Sequence, residues 1–289
     1  MDKVIYYIFL GGIKMKLKYF GTAAAEGVPA LFCKCDLCQE ARKKKGRDIR
    51  IRSQSLIDDQ LLIDFPGDSY LHFLKEDYNL ADIEHLIITH GHSDHFYPED
   101  LVMRMSGYSN SLDTKLTVYG NERVASFYQR VFDLEGRMDE DRLAFQLVHP
   151  VETFEAGCYH ITPLLADHDK KETCLIYQIS DGKKNVLYAH DTGYFLAENW
   201  EYWEKTKPYF HCVSLDCNSQ MNKVDGNHMS FYDNVAIKNK MNEMGLTDEK
   251  TIFVSSHFSH NSGLLYDEMN AIGMKEGFIT AYDGLELTF

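Results

Sequence analysis

The segment Thr89-His90-Gly91-His92-Ser93-Asp94-His95 places three imidazoles and a carboxylate within six residues. A helix would put His90 and His95 on different faces, whereas a tight loop with Gly91 lets all four groups turn into one pocket. Four ligands of mixed type suit two metal ions better than one closed tetrahedral site. The segment begins where the apolar run Leu86-Ile87-Ile88 stops. Asp191 follows Val186-Leu187-Tyr188 in the same way, and His257 follows Ile252-Phe253-Val254. Strand ends that meet on one rim are where rigid scaffolds place their sites.

A second group of metal-binding side chains is Cys33-Lys34-Cys35-Asp36-Leu37-Cys38. This spacing fits a metal better than a disulfide framework, and it fits a reducing cytosol. Lys34 and Asp36 would make poor core neighbours, which argues against three buried thiols. The other four cysteines, Cys158, Cys174, Cys212 and Cys217, fall in apolar strand patterns and read as inert core residues. Asp216 ends an apolar strand and could orient either a metal ligand or His228 as a supporting carboxylate. His228, in Asp225-Gly226-Asn227-His228, precedes a helical run from Phe231 to Met244 and so sits at a helix N-terminus, where anions also bind. His72, His85, His149, His160, His190 and His211 show no metal-like pattern; His190 is set apart by its neighbour Asp191. Arg42, Lys43, Lys44, Lys45, Arg47, Arg50 and Arg52 form a basic cluster that reads as a solvated helix face.

The elements that must position these residues follow from hydrophobic patterning. Strands are expected at 16–20, 53–58, 60–64, 85–89, 115–119, 145–149, 159–165, 174–180, 185–189, 211–215, 251–255 and 277–281. Helices are expected at 98–107, 121–132, 196–205, 229–244 and 264–272. No repeat or low-complexity linker divides the chain, so residues 15–289 read as one α/β (α+β) domain. Residues 1–14 read as an extension that adds nothing to activity, because Met15 opens what looks like a fresh start into a strand. The apolar run Val4–Leu10 is too short to span a bilayer and is followed by Lys14, Lys16 and Lys18. A cytoplasmic protein without membrane contact is expected.

The chain has 289 residues, 44% of them hydrophobic, enough for a sizeable core. Its 30 Lys plus Arg against 44 Asp plus Glu give a net charge of -14. General nucleic-acid binding rests on neutralising phosphates, so this balance argues against it.

The His-x-His-x-Asp-His segment resembles the metal-binding motif of the metallo-β-lactamase superfamily. The resemblance extends to the order of later candidates: Asp167-His168, His190-Asp191-Thr192-Gly193 and Ser256-His257. It implies an αββα four-layer sandwich. It also implies one metal ion on His90, His92 and His168, a second on Asp94, His95 and His257, and Asp191 bridging both. Asp64, in Leu61-Leu62-Ile63-Asp64-Phe65, resembles the strand-end aspartate that supports the site. Gly21-Thr22-Ala23-Ala24-Ala25-Glu26-Gly27-Val28-Pro29, followed by the three cysteines, is similar to the branch that contains phosphoribosyl 1,2-cyclic phosphate phosphodiesterase. That likeness implies a structural zinc on Cys33, Cys35, Cys38 and His260. Four protein ligands with no open position are what a structural site has. It further implies that His228 acts as general acid to the leaving group.

The expected activity is therefore hydrolysis of a small or cyclic phosphodiester, with a bridging hydroxide between two divalent ions as nucleophile. Zinc, manganese, iron and nickel all suit the donor set. The cysteine element is also similar to the pyrroloquinoline-quinone biosynthesis branch. Thioester or lactam hydrolysis, di-iron redox chemistry and a non-catalytic metal-binding module remain alternatives. The acidic charge argues against a tRNA-processing nuclease, and oligomeric state is open, a homodimer included.

Overall fold

The computed structural model describes residues 14–76, 78–136, 138–223 and 226–289. The proposed extension, apart from Lys14, and Asp225 lie outside the described residues. Two seven-stranded sheets carry the chain. The first is built from β1 (Lys16–Gly21), β2 (Gln54–Ile57), β3 (Leu61–Ile63), β4 (His85–Ile87), β5 (Leu116–Gly120), β6 (Leu143–Leu147) and β14 (Glu286–Thr288), in the order β14-β1-β2-β3-β4-β5-β6. The second holds β7 (Phe154–Ala156), β8 (Tyr159–Leu165), β9 (Leu175–Ser180), β10 (Asn185–Ala189), β11 (Cys212–Asp216), β12 (Ile252–Ser256) and β13 (Phe278–Thr280), in the order β13-β12-β11-β10-β9-β8-β7. Six α-helices accompany them among the described residues: α1 (Asp36–Lys44), α2 (Ser69–Lys75), α3 (Glu122–Glu135), α4 (Ala197–Thr206), α5 (Phe231–Glu243) and α6 (Tyr266–Lys275).

Side chains alternate across a strand, and here both faces are apolar. Leu61 and Ile63 of β3 and Val186 and Tyr188 of β10 point between the sheets, into a core shared with Leu17, Tyr177 and Val254. Their neighbours point outward. Leu62 joins a cluster with Val124, Tyr128 and Val131 of α3, and Leu187 one with Trp203 of α4 and Ile237 of α5. The result is helix, sheet, sheet, helix, as the sandwich resemblance implied.

All twelve expected strands form, and β7 and β14, three residues each, are additional. Residues 98–104 form a 3₁₀ helix that opens at Pro98, in place of the expected helix 98–107. Two other expectations need correction. Only Arg42, Lys43 and Lys44 of the basic cluster lie in an α-helix, in the last turn of α1. Arg50 is buried, donates to Thr22 Oγ1 and the Ala281 carbonyl, and covers the Phe258 ring. Arg52 pairs with Asp68, and Arg47 lies over Tyr282. These three arginines join distant segments, because the chain after α1 runs inward. Cys158 is exposed, in the turn between β7 and β8, where no sheet covers it. Cys174, Cys212 and Cys217 are buried as expected.

β10, β11, β12 and β13 pair in parallel, as do β3, β4, β5 and β6. β8 and β10 both run antiparallel to β9 and therefore share a direction. The C-terminal ends of β8, β10, β11 and β12 thus lie on one rim. No helix among the described residues is long and apolar enough to cross a membrane.

Candidate metal centre

Asp64, Asp191 and His257 each follow the last residues of a strand, and each has a left-handed backbone, with φ of 64°, 55° and 61°. This conformation costs non-glycine residues about 1–3 kcal/mol and collects at functional sites. It turns each side chain off its strand toward the shared rim. The loop after β4 closes tightly: His95 N bonds the His92 carbonyl at 2.9 Å and Phe96 N bonds it at 2.7 Å. A Cβ on Gly91 would meet Arg123 Cγ at 2.7 Å, so the loop packs on α3 only with glycine there.

The expected ligands converge in two groups. His90, His92, His168 and Asp191 offer one set of ligand atoms, and Asp94, His95, Asp191 and His257 offer the other. His90 Nε2 lies 3.0 Å from His92 Nδ1, which lies 3.2 Å from His168 Nε2. His95 Nε2 is 3.2 Å from His257 Nε2 and 3.3 Å from Asp94 Oδ2. Asp191 Oδ2 stands between the groups, 3.3 Å from His90 Nε2 and 3.2 Å from His95 Nε2. Donor atoms around an ion at ~2.0–2.1 Å in tetrahedral array are spaced at about 3.3 Å, so this spacing fits a metal. The other oxygen, Asp191 Oδ1, is buried and faces His168 Nδ1 and His228 Nδ1.

Four of the five histidines have a hydrogen-bond partner on the far nitrogen, and the fifth, His257, faces a carboxylate there. His95 Nδ1 meets Asp64 Oδ2 at 2.7 Å, while His257 Nδ1 lies 3.3 Å from Asp216 Oδ2 without a directed hydrogen bond. His92 Nε2 meets Asp169 Oδ2 at 3.3 Å, His90 Nδ1 meets Thr89 Oγ1 at 3.1 Å, and His168 Nδ1 meets the Asn227 carbonyl at 3.2 Å. Such partners fix the tautomer and leave a lone pair on the inward nitrogen. Nδ1 is the inward atom for His92 and Nε2 for the other four. Burial opposes charge on His95, but the Asp64 and Asp94 carboxylates raise its pKa well above the ordinary value. Burial likewise opposes charge on Asp94, and the adjacent His95 prevails and lowers it.

His228 Nδ1 stands 3.1 Å from Asp191 Oδ1 and 3.3 Å from Asp216 Oδ2, with the side chain 27% exposed. Burial works against its charged form, yet the two carboxylates outweigh it and push the imidazole up to about 10. Asp216 also accepts from the amides of Asp191, Asn218 and Met229, so the supporting role expected of it is visible in its bonds. His190 is buried with its ring 6.3 Å from that of His257, but it belongs to neither donor group and is bonded to Ser214 Oγ at 2.7 Å. Asp169 and Glu172 were not singled out in the sequence. Glu172 accepts from Gly91 N and Asn121 Nδ2, bracing the metal loop. Position next to His168 was the one available signal for Asp169.

Cys33, Cys35, Cys38 and His260 form a separate cluster. Cys35 Sγ lies 3.6 Å from His260 Nδ1, and backbone amides donate to Cys33 and Cys38 sulfurs. The His260 hydrogen bond holds the Cys35 thiol down to about 6, while burial pushes Cys38 up to about 11. A cavity of about 830 Å³ opens at the opposite rim, lined by Tyr209, His211, Lys250 and Ile279, far from these groups in the fold.

A family model described as Beta-lactamase superfamily domain matches residues 64–250, more than half of the chain. The chain belongs to this superfamily. The match begins at Asp64 and spans the ligands from His90 to Asp191, but stops before His257 and His260. Among solved structures, a diphosphatase of the PhnP family is similar with a TM-score of 0.73 and 22% identity, over 96% of this chain and 98% of that one. Zinc-bound PqqB from Methylobacterium extorquens aligns with a TM-score of 0.66 and 18% identity, over 94% of this chain and 99% of that one. Ribonuclease Z of Listeria monocytogenes is 23% identical over 157 residues, 53% of this chain and 46% of that protein. The chain thus aligns with about half the length of the curated relatives it matches.

Proposed function

We propose that the protein is a metal-dependent phosphodiesterase acting on a small or cyclic phosphodiester, with His228 as general acid. The observation that carries this reading is His228 held by Asp191 and Asp216 at the edge of a two-metal donor set. His90, His92 and His168 would hold one ion, Asp94, His95 and His257 the other, and Asp191 both. Bound there, two divalent ions supply positive charge against the phosphoryl oxygens and a nucleophile at neutral pH. Asp216 keeps the His228 proton on Nδ1, so the opposite nitrogen is the one directed to a leaving group. With its pKa raised, the imidazole is protonated at neutral pH and can deliver that proton. The structural similarity to a diphosphatase and the sequence similarity to a ribonuclease support phosphate-ester chemistry. The net charge of -14 supports a small substrate over an extended nucleic acid. Cys33, Cys35, Cys38 and His260 would hold a structural zinc.

His228→Ala is expected to lower kcat by ~10²–10⁴ for a substrate with a poor leaving group, with little change in bound metal. An activated leaving group needs less protonation, so the loss should shrink across a series of increasingly acidic alcohols. An equal loss across the series would remove His228 from the acid role.

A further inference from the structure

We propose that Gln54 and His72 are positioning residues for the Asp94/His95/His257 half of the centre, acting through the backbone of Asp64. This inference rests on the metal-holding part of the reading above and is independent of the substrate.

Asp64 is buried, and its carboxylate accepts from Thr89 N at 2.8 Å, Thr89 Oγ1 at 2.9 Å and His95 Nδ1 at 2.7 Å. The aim of that carboxylate is set by a left-handed backbone at the end of β3. Such a backbone persists only where its surroundings over-determine it. The Asp64 carbonyl is held by Gln54 Nε2 at 2.9 Å. The other hydrogen of that amide goes to Ser69 Oγ at 3.0 Å, and Ser69 spends its own hydrogen on the Pro66 carbonyl. Gln54 Oε1 can only accept, and His72 Nδ1 lies 2.7 Å from it.

The directions are therefore forced. His72 donates to Gln54, Gln54 donates to Asp64, and Asp64 receives from His95. Burial pushes the His72 imidazole down to about 3, so it stands neutral with its hydrogen on Nδ1. His72 Nε2 is buried without a partner. Gln54 and His72 are both fully buried, next to a core that holds Phe20, Leu56 and Leu62. Burying two polar side chains is unfavourable unless they are hydrogen-bonded, and here the bonds run to the Asp64 backbone. The role these bonds can serve is to hold the residue that orients His95.

The test is a cobalt(II) titration of the whole protein, read by absorption and by bound stoichiometry. Gln54→Met and His72→Leu remove the chain of donors. With the Cys33/Cys35/Cys38/His260 cluster told apart by its thiolate-to-cobalt absorption, each is expected to weaken one of the two binding events at the His/Asp centre by about 10–100-fold, the range for lost partners of metal ligands, and to leave the other unchanged. His72→Asn places an amide nitrogen where Nδ1 stood and should restore wild-type affinity; His72→Gln places it elsewhere and should not. This pair of amide variants carries a similar folding load, so it decides the matter even if His72→Leu does not fold. Equal affinities for the Asn and Gln variants, or two unchanged events in Gln54→Met, would overturn the inference while leaving the metal centre standing. A wild-type protein that binds no cobalt would overturn both.

Discussion

Replacing Asp191 with alanine is expected to reduce turnover by ~10³-fold or more and to lower bound metal by at least one ion. The size follows from its place: Oδ2 lies within 3.3 Å of His90 Nε2 and His95 Nε2, and Oδ1 lies 3.3 Å from His168 and 3.1 Å from His228. No other side chain among the described residues belongs to as many as three of the donor clusters. Its loss removes the shared ligand of both ions and one of two carboxylates that keep His228 protonated. Electrostatic stabilisation by bound ions is worth several kcal/mol, and each 1.36 kcal/mol is tenfold in rate. Asp191→Asn belongs beside it, because asparagine tolerates the left-handed backbone and keeps the shape. Metal analysis and kcat of both variants check this, and turnover within tenfold of wild type would remove Asp191 from the bridging role.

Cys35→Ser should release one tightly held zinc ion and leave two exchangeable ions at the other centre. Structural zinc contributes roughly 10–16 kcal/mol of apparent binding energy in small peptides. Much of that is spared here, because Ala23 and Val28 bridge to Phe258, Arg52 and Arg50 independently of the thiols. A remaining loss of a few kcal/mol corresponds to a Tm lower by roughly 10 °C, at about 2–4 °C per kcal/mol. The cluster ties the loop before α1 to His260, three residues after His257, so proteolysis should appear first in residues 24–35. Unchanged zinc content in the variant would show that these thiols do not hold the ion.

Residues adjacent in sequence made most of the centre legible. His90, His92, Asp94 and His95 lie on one loop, and Asp191 and His257 each follow an apolar strand whose burial on both faces is visible as a continuous run. α1 and α2 were not delineated, since Asp36–Lys44 is mostly charged and Ser69–Lys75 spans only seven residues. β7 and β14 are too short to show an alternating pattern. The supporting residues were harder still. Gln54 and His72 act through bonds to residues 10 and 18 positions away, and Glu172 reaches Gly91 across 81.

The central claim is metal-dependent cleavage of phosphodiesters, and the most direct test is hydrolysis of an activated phosphodiester by protein loaded with manganese or zinc. Multiple turnover that requires the added metal and is lost with Asp191→Ala is the predicted result. No turnover with either metal, in protein shown to bind two ions at this centre, would contradict the claim and direct attention to thioester, lactam or redox chemistry.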